Sequence, residues 1–218
     1  MPRLVPPRVH RSRLAASLIA AAALAAPVAG AAQEAPQAGG SWRLASTVGL
    51  WHQGDRGQFT GRQIGQFVGL EFGRQRTARA RLTASAGYYR LDDALEVVTL
   101  LPTPGQSRTD VYDAELVPVT AGAAYDVWQG AVAAVSAGLE AGAAWNRDRL
   151  ARSSGSSSAL APTRDDWTPV FLAAPSLGVR RAVGPRLDLT ATGRMLLGFG
   201  DISPKSFPTV AVGAAYRF

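Results

Sequence analysis

From residue 41 onward, apolar and polar or small side chains alternate along the chain with a period of two. The last ten residues, TVAVGAAYRF, set Val210, Val212, Ala214, Tyr216 and Phe218 against Thr209, Ala211, Gly213, Ala215 and Arg217. Seven earlier stretches repeat the pattern. Over 42–52, Trp42, Leu44, Val48 and Leu50 oppose Arg43, Ala45, Thr47 and Gly49. Over 62–72, Ile64, Val68, Leu70 and Phe72 oppose Gly65, Gly69 and Glu71, with Phe67 out of step. The others are 77–90, 115–127, 131–145, 167–179 and 187–199. A period of two, with recurrent glycine and β-branched residues, predicts strands with one apolar face rather than helices. Pro169 and Pro175 fall on the apolar face of the sixth stretch and weaken the ladder there.

The connections have a rhythm of their own. They span 53–61, 73–76, 91–114, 128–130, 146–166, 180–186 and 200–208, and every second one is short. That rhythm predicts an all-β, eight-stranded antiparallel up-and-down barrel with turns at one end and loops at the other. An even strand number places both ends of the barrel chain on the turn side.

Alternation does not say which face is inside. A soluble barrel of the lipocalin type points its apolar face into the cavity, and a transmembrane barrel points it at lipid. Three features favour lipid. The polar face is mostly Gly, Ser, Thr and Ala, with isolated charges, and the only lysine, Lys205, lies in a connection. Trp42, Trp128, Trp145 and Trp167 fall at or beside strand ends, where an aromatic girdle meets the membrane interfaces. The apolar face is rich in alanine, which a ligand-lining face does not need.

The N-terminus is of another kind. Arg3, Arg8, Arg11 and Arg13 precede an apolar run over 14–28 and a small-residue site at Ala29-Gly30-Ala31. This order is that of a secretory signal peptide, and the run is short of the ~20 residues of a spanning helix. The domains are therefore a signal peptide at 1–31, a flexible periplasmic lead-in at 32–40 and an outer-membrane barrel at 41–218. Removing 1–31 takes away four arginines and no acids, so the formal net charge falls from +7 to +3. A nucleic-acid partner loses its main support with that segment. There is no cysteine, which excludes disulfides, thiolate metal sites and a cysteine nucleophile.

With a signal peptide, eight alternating strands and a tail ending Tyr216-x-Phe218, the chain resembles the small bacterial outer-membrane barrels of the OmpA/OmpX type. The resemblance covers nearly all of the mature chain and is architectural. It implies a cell outer-membrane location and a monomer in contact with outer-membrane lipid and lipopolysaccharide. It also implies that Tyr216 and Phe218 form an assembly signal read by the barrel-assembly machinery, with periplasmic chaperones escorting the chain during biogenesis. In hydrocarbon an open sheet edge is not tolerated, so the eighth strand is expected to pair with the first.

Candidate chemistry is sparse. A lumen charge network of Glu71, Arg79, Arg81, Glu140, Asp188 and Arg194 is expected from strand parity, joined by Arg43, Arg180 and Arg217. Glu71 and Arg79 flank a short turn and are expected as cross-strand neighbours; Arg81, Glu140 and Arg194 are expected to meet near mid-height. Eight strands barely enclose their own side chains, so such charges must be paired or watered. The bland reading is a structural plug; the sharper one is a narrow ion channel. Some lipid A-modifying outer-membrane enzymes are barrels that use His with Ser or Asp. The mature chain offers only His52, followed by Gln53-Gly54, and no sequence pattern arranges Asp92, Asp93, Asp110 or Ser107 around it. The acid pairs Asp92-Asp93 and Asp165-Asp166 are read as solvated loop acids, so no metal, cofactor or catalytic residue is assigned. The 152–166 connection is low in complexity. The 91–114 connection carries Leu95, Val97, Val98, Leu100 and Leu101, which could extend a strand or form a hairpin contacting another surface. The expected function is that of an integral outer-membrane protein with a structural or surface-interaction role and no enzymatic activity. A lipid A-modifying enzyme, a narrow channel and a soluble periplasmic lipocalin-like binder stand as alternatives.

Overall fold

The computed structural model describes residues 41–52, 64–100, 106–155, 166–199 and 205–218. Residues 1–40, where a signal peptide and a lead-in are expected, and Asp165 lie outside the described residues. Eight strands follow one another: β1 Trp42–His52, β2 Ile64–Gln75, β3 Ala80–Leu100, β4 Ser107–Gln129, β5 Ala133–Gly155, β6 Thr168–Ala182, β7 Leu187–Phe199 and β8 Lys205–Arg217. Each pairs antiparallel with the next, and β8 pairs with β1, so the sheet is a closed up-and-down barrel.

Closure runs from Arg43 opposite Arg217 to Trp51 opposite Thr209. Beyond it, Trp42 N–H donates to the Phe218 carbonyl at 2.9 Å, and Phe218 N–H donates to the Trp42 carbonyl at 3.0 Å. The backbone of the last residue is therefore tied to the first strand, and no edge is left at the seam.

The faces follow the alternation. On β1, Leu44 and Val48 are exposed while Arg43 and Ala45 are buried; on β8, Val210 and Tyr216 are exposed while Thr209, Ala211 and Ala215 are buried. Large apolar side chains thus cover the outside, and the polar face fills the inside. Two prolines interrupt the ladder without breaking the register. The β3–β4 pairing skips Gly87 and Tyr88, which face Pro118 and Val117, and the β6–β7 pairing skips Ala174 and Pro175. Proline has no N–H to give, which accounts for both gaps.

Two of the expected connections are shorter than the pattern indicated. β3 and β4 continue through the 91–114 segment, leaving only 101–106 between them, and β5 runs on to Gly155. The alternation there is masked by an irregularity. The β3–β4 register shifts between Leu91 and Leu95, and Asp93 takes a positive φ of 54°. Its N–H donates to the Asp113 carboxylate at 3.0 Å, which fixes this bulge. The result is a three-stranded extension above the barrel rim, with Leu100 80% exposed near its tip. The β4–β5 register shifts between Val111 and Tyr112 and again between Asp126 and Trp128, where Val127 and Trp128 turn outward in succession.

Inside, bulky rings lie against glycines of the same or the neighbouring strand. Trp51 is paired with Gly65 and Phe67 with Gly49. A Cβ at Gly49 would come within 2.6 Å of the Phe67 ring and closer still to the Val210 carbonyl. Gly49→Val is expected to lower stability by about 1–3 kcal/mol through overpacking, read as a lower urea midpoint of the refolded barrel with its sheet content retained.

Candidate functional site

The barrel interior is layered. At the short-turn end, Asp126 is the hub, with its side chain 1% exposed. It faces Arg81 on β3 at 3.2 Å and Arg180 on β6 at 2.5 Å, and accepts from Gln129 Nε2 at 2.8 Å. Beside it, Arg217 on β8 pairs with Asp188 on β7 at 3.2 Å. Arg43 on β1 is buried in the same layer, with Nε and Nη1 finding no acceptor. In this low-dielectric setting a carboxylate shared by two guanidiniums is held by charge-assisted hydrogen bonds from fixed directions.

At mid-height the second hub is Glu140 on β5, with its side chain 4% exposed. Arg194 on β7 lies 3.4 Å away, Ser85 Oγ donates at 2.9 Å and Thr120 Oγ1 donates at 2.5 Å. Arg194 Nη1 also donates to Ser85 Oγ at 2.9 Å, and Glu71 on β2 lies 3.8 Å from Arg194. Two small cavities flank this layer. One is lined by Glu71, Arg81, Ser136, Glu140, Ser176 and Arg194, and each has room for no more than a few waters.

Above mid-height, toward the loop end, the interior becomes apolar. Phe67 and Tyr89 stack with ring centroids 4.3 Å apart, and Trp51 meets Tyr89 edge-on at 5.9 Å and Phe207 at 5.8 Å. Trp51 Nε1 donates to the Arg90 carbonyl at 3.2 Å, which satisfies the one polar atom of that ring. Leu91, Leu116, Leu172 and Leu196 complete this cluster.

Of the six residues expected in a lumen network, Glu71 and Glu140 lie by Arg194 and Asp188 pairs with Arg217, whereas Arg81, expected to meet Glu140 and Arg194, pairs with Asp126 in the layer nearer the turns. Arg79 is a further correction. It lies exposed in the turn before β3 rather than on a strand, and Glu71 is opposite Ser85 instead. The strand starts at Ala80, so the turn takes up 76–79 and shifts the expected partner out of the ladder. Asp126, the most buried acid among the described residues, and the aromatic cluster were not anticipated. Parity places both inside, and the lapse of alternation at Phe67 and the inward parity of Trp51 are the signals of the cluster that the sequence carried.

Outside, exposed aromatics form two tiers. Phe72, Tyr125, Trp128, Tyr216 and Phe218 lie near the turn end, with Trp42 stacked on Phe72 at 4.8 Å. Tyr88, Trp145, Trp167, Phe171 and Phe199 lie near the loop end. Tyr216 and Phe218 stack with centroids 6.4 Å apart. Each tier is bordered by charge. Arg74 sits over the Trp42 ring at 4.8 Å, and Arg147 sits over Trp167 at 4.7 Å while pairing with Glu115. Of the acids considered beside His52, Asp92 is paired with Arg90 at 2.7 Å and Asp110 with Arg108 at 2.8 Å. Asp110, in the extension, titrates below the ordinary carboxylate range: burial opposes its charge, and hydrogen bonds from Ser153 and Arg108 outweigh that.

No family model and no curated protein sequence matches the chain. Solved structures do share its fold. The attachment invasion locus protein Ail of Yersinia pestis, solved with the heparin analogue sucrose octasulfate, is similar at a TM-score of 0.51 and 14% identity, over 83% of this chain and 99% of that one. Neisserial surface protein A is similar at a TM-score of 0.55 and 15% identity, over 82% of this chain and 97% of that one. The class that fold and likeness define is the small eight-stranded up-and-down barrel, of which outer-membrane proteins are known examples.

Asp126→Asn removes the buried anion shared by the half-buried Arg81 and Arg180. It is expected to cost about 3–5 kcal/mol in urea unfolding, whereas Arg76→Gln on the exposed turn should stay within about 0.5 kcal/mol.

Proposed function

We propose that this chain is an integral outer-membrane barrel with a structural or surface-interaction role, its lumen plugged by side chains. One observation carries the reading: the outward face is a belt of large apolar residues between two aromatic tiers, while the buried charges point inward. A soluble barrel of this topology would turn those faces the other way. Strand lengths agree. β1, β2, β7 and β8 have 11, 12, 13 and 13 residues. At ~3.3 Å per residue and a tilt near 40°, such strands rise about 30 Å, enough to cross a bilayer core.

The layers inside support a plug rather than a path. Ions entering at the turn end would meet two carboxylates already shared among arginines, and those from the loop end would meet a packed aromatic cluster. The extension of β3, β4 and β5 stands beyond the loop-end tier, where it is presented to the exterior. Trp42, Trp128, Trp145 and Trp167 serve as girdle residues in this reading, and Tyr216 and Phe218 serve as both girdle and assembly signal. Assembly machinery, periplasmic chaperones and lipopolysaccharide are its partners, and the barrel is a monomer reached through a cleaved signal peptide.

Fractionation of expressing cells tests the reading directly. The protein is expected in the outer-membrane pellet, with a heat-dependent gel shift after detergent extraction; release with the soluble periplasm would reject it. Leu70→Arg, at the middle of the outward belt, is expected to cost about 2–4 kcal/mol in lipid vesicles, measured as a lower unfolding midpoint.

A further inference from the structure

The charges that face the barrel interior do not balance. On the turn side of the aromatic cluster, five arginines and four carboxylates point inward among the described residues. Four of the arginines have found acids. Arg81 and Arg180 share Asp126, Arg217 pairs with Asp188, and Arg194 lies against Glu140 and Glu71. Arg43 is the one left over. Its side chain forms no hydrogen bond or ion pair with a described residue, and its Nε and Nη1 are shut away from solvent. The residue as a whole is 9% exposed.

The imbalance is local. Arg43 lies opposite Arg217 across the β8–β1 seam and opposite Gly73 on β2. A Cβ at Gly73 would lie 3.9 Å from Arg43 Cβ, 4.0 Å from Arg81 Cδ and 3.6 Å from the Leu82 carbonyl, all ordinary contacts. The stems of two guanidiniums thus pass a space that the glycine leaves open. Arg81 Nε and Arg217 Nε are also buried without an acceptor. Glu71, one inward position above Gly73, is turned to Arg194 at 3.8 Å. Unused N–H groups from β1, β3 and β8 therefore collect in a layer where positive charge is in excess.

We propose that this turn-end layer binds one small monovalent inorganic anion of the halide class, held by the Arg43 guanidinium with Arg81 and Arg217 beside it. A guanidinium carries five N–H donors and keeps its charge, and a buried cation without a partner is costly. One negative charge brings the inward total to zero and gives Arg43 an acceptor. A water molecule would satisfy the donors but bring no charge. The lumen of eight strands is filled by its own side chains, so a single-atom ion suits it where a phosphodiester or an organic acid does not. The inference needs the closed barrel and not its location, so its failure leaves the proposed function where it stands.

The test is urea unfolding of the folded protein at constant ionic strength, with chloride replaced stepwise by bulky gluconate. Fixed ionic strength removes general screening from the comparison. Once the site is past half-filled, the wild-type unfolding constant is expected to fall close to tenfold for each tenfold rise in chloride, as for one bound ion. Arg43→Met is expected to show no such dependence. A wild type indifferent to chloride, or an Arg43→Met variant that keeps the dependence, overturns the site. A crystal of the wild type grown in bromide gives a second reading that does not require the variant to fold. An anomalous peak within hydrogen-bond reach of the Arg43 guanidinium is expected, and none at that place overturns the proposal.

Discussion

A closed ring of backbone hydrogen bonds is the constraint on which everything else in this barrel depends. β8 returns to β1 and the terminal residue is bonded to Trp42 on both sides, so no row of N–H and C=O groups is left open. With the backbone satisfied within the sheet, the outward face needs no polar groups and can be almost wholly apolar. The same closure makes the inside narrow. Eight strands leave space only for their own side chains, so each inward residue is chosen by its neighbours across the lumen as well as along the strand.

That narrowness explains the division of the interior. Near the turn end and at mid-height, carboxylates that would be costly alone are each surrounded by several donors. Asp126 has two guanidiniums and an amide, and Glu140 has one guanidinium and two hydroxyls. Pairs of this kind are often no more stabilising than an apolar core would be, but each is strict about geometry. Near the loop end the task passes to rings and leucines, which fill volume without needing partners. The changeover coincides with the height at which Tyr88, Glu115 and Arg147 begin to interact on the outside.

Much of the fold was legible because a strand with two different solvents on its two sides has to alternate. The eight strands, their order and the faces of Leu44, Val119, Leu139 and Leu197 all follow from that period. What was not legible depends on departures from it. The Asp93 bulge hid the continuation of β3, and a turn at 76–79 removed Arg79 from the network. Asp126 lay at an inward position beside a second irregularity, at Val127 and Trp128. Partners across the lumen, such as Arg180 for Asp126, are separated by 54 residues, and nothing local in a sequence announces them.

Alternation cannot tell a strand from itself slid along by two residues, because both arrangements keep the same face toward lipid. The facing of rings and glycines can. With Trp51 opposite Gly65 and Phe67 opposite Gly49, a two-residue slip of β1 along β2 would bring Trp51 opposite Phe67 or Gln63 and leave at least one glycine without its ring. The indole and phenyl groups thus act as a vernier: they select one stagger among those the two-residue period permits, and through it the girth and tilt of the whole cylinder.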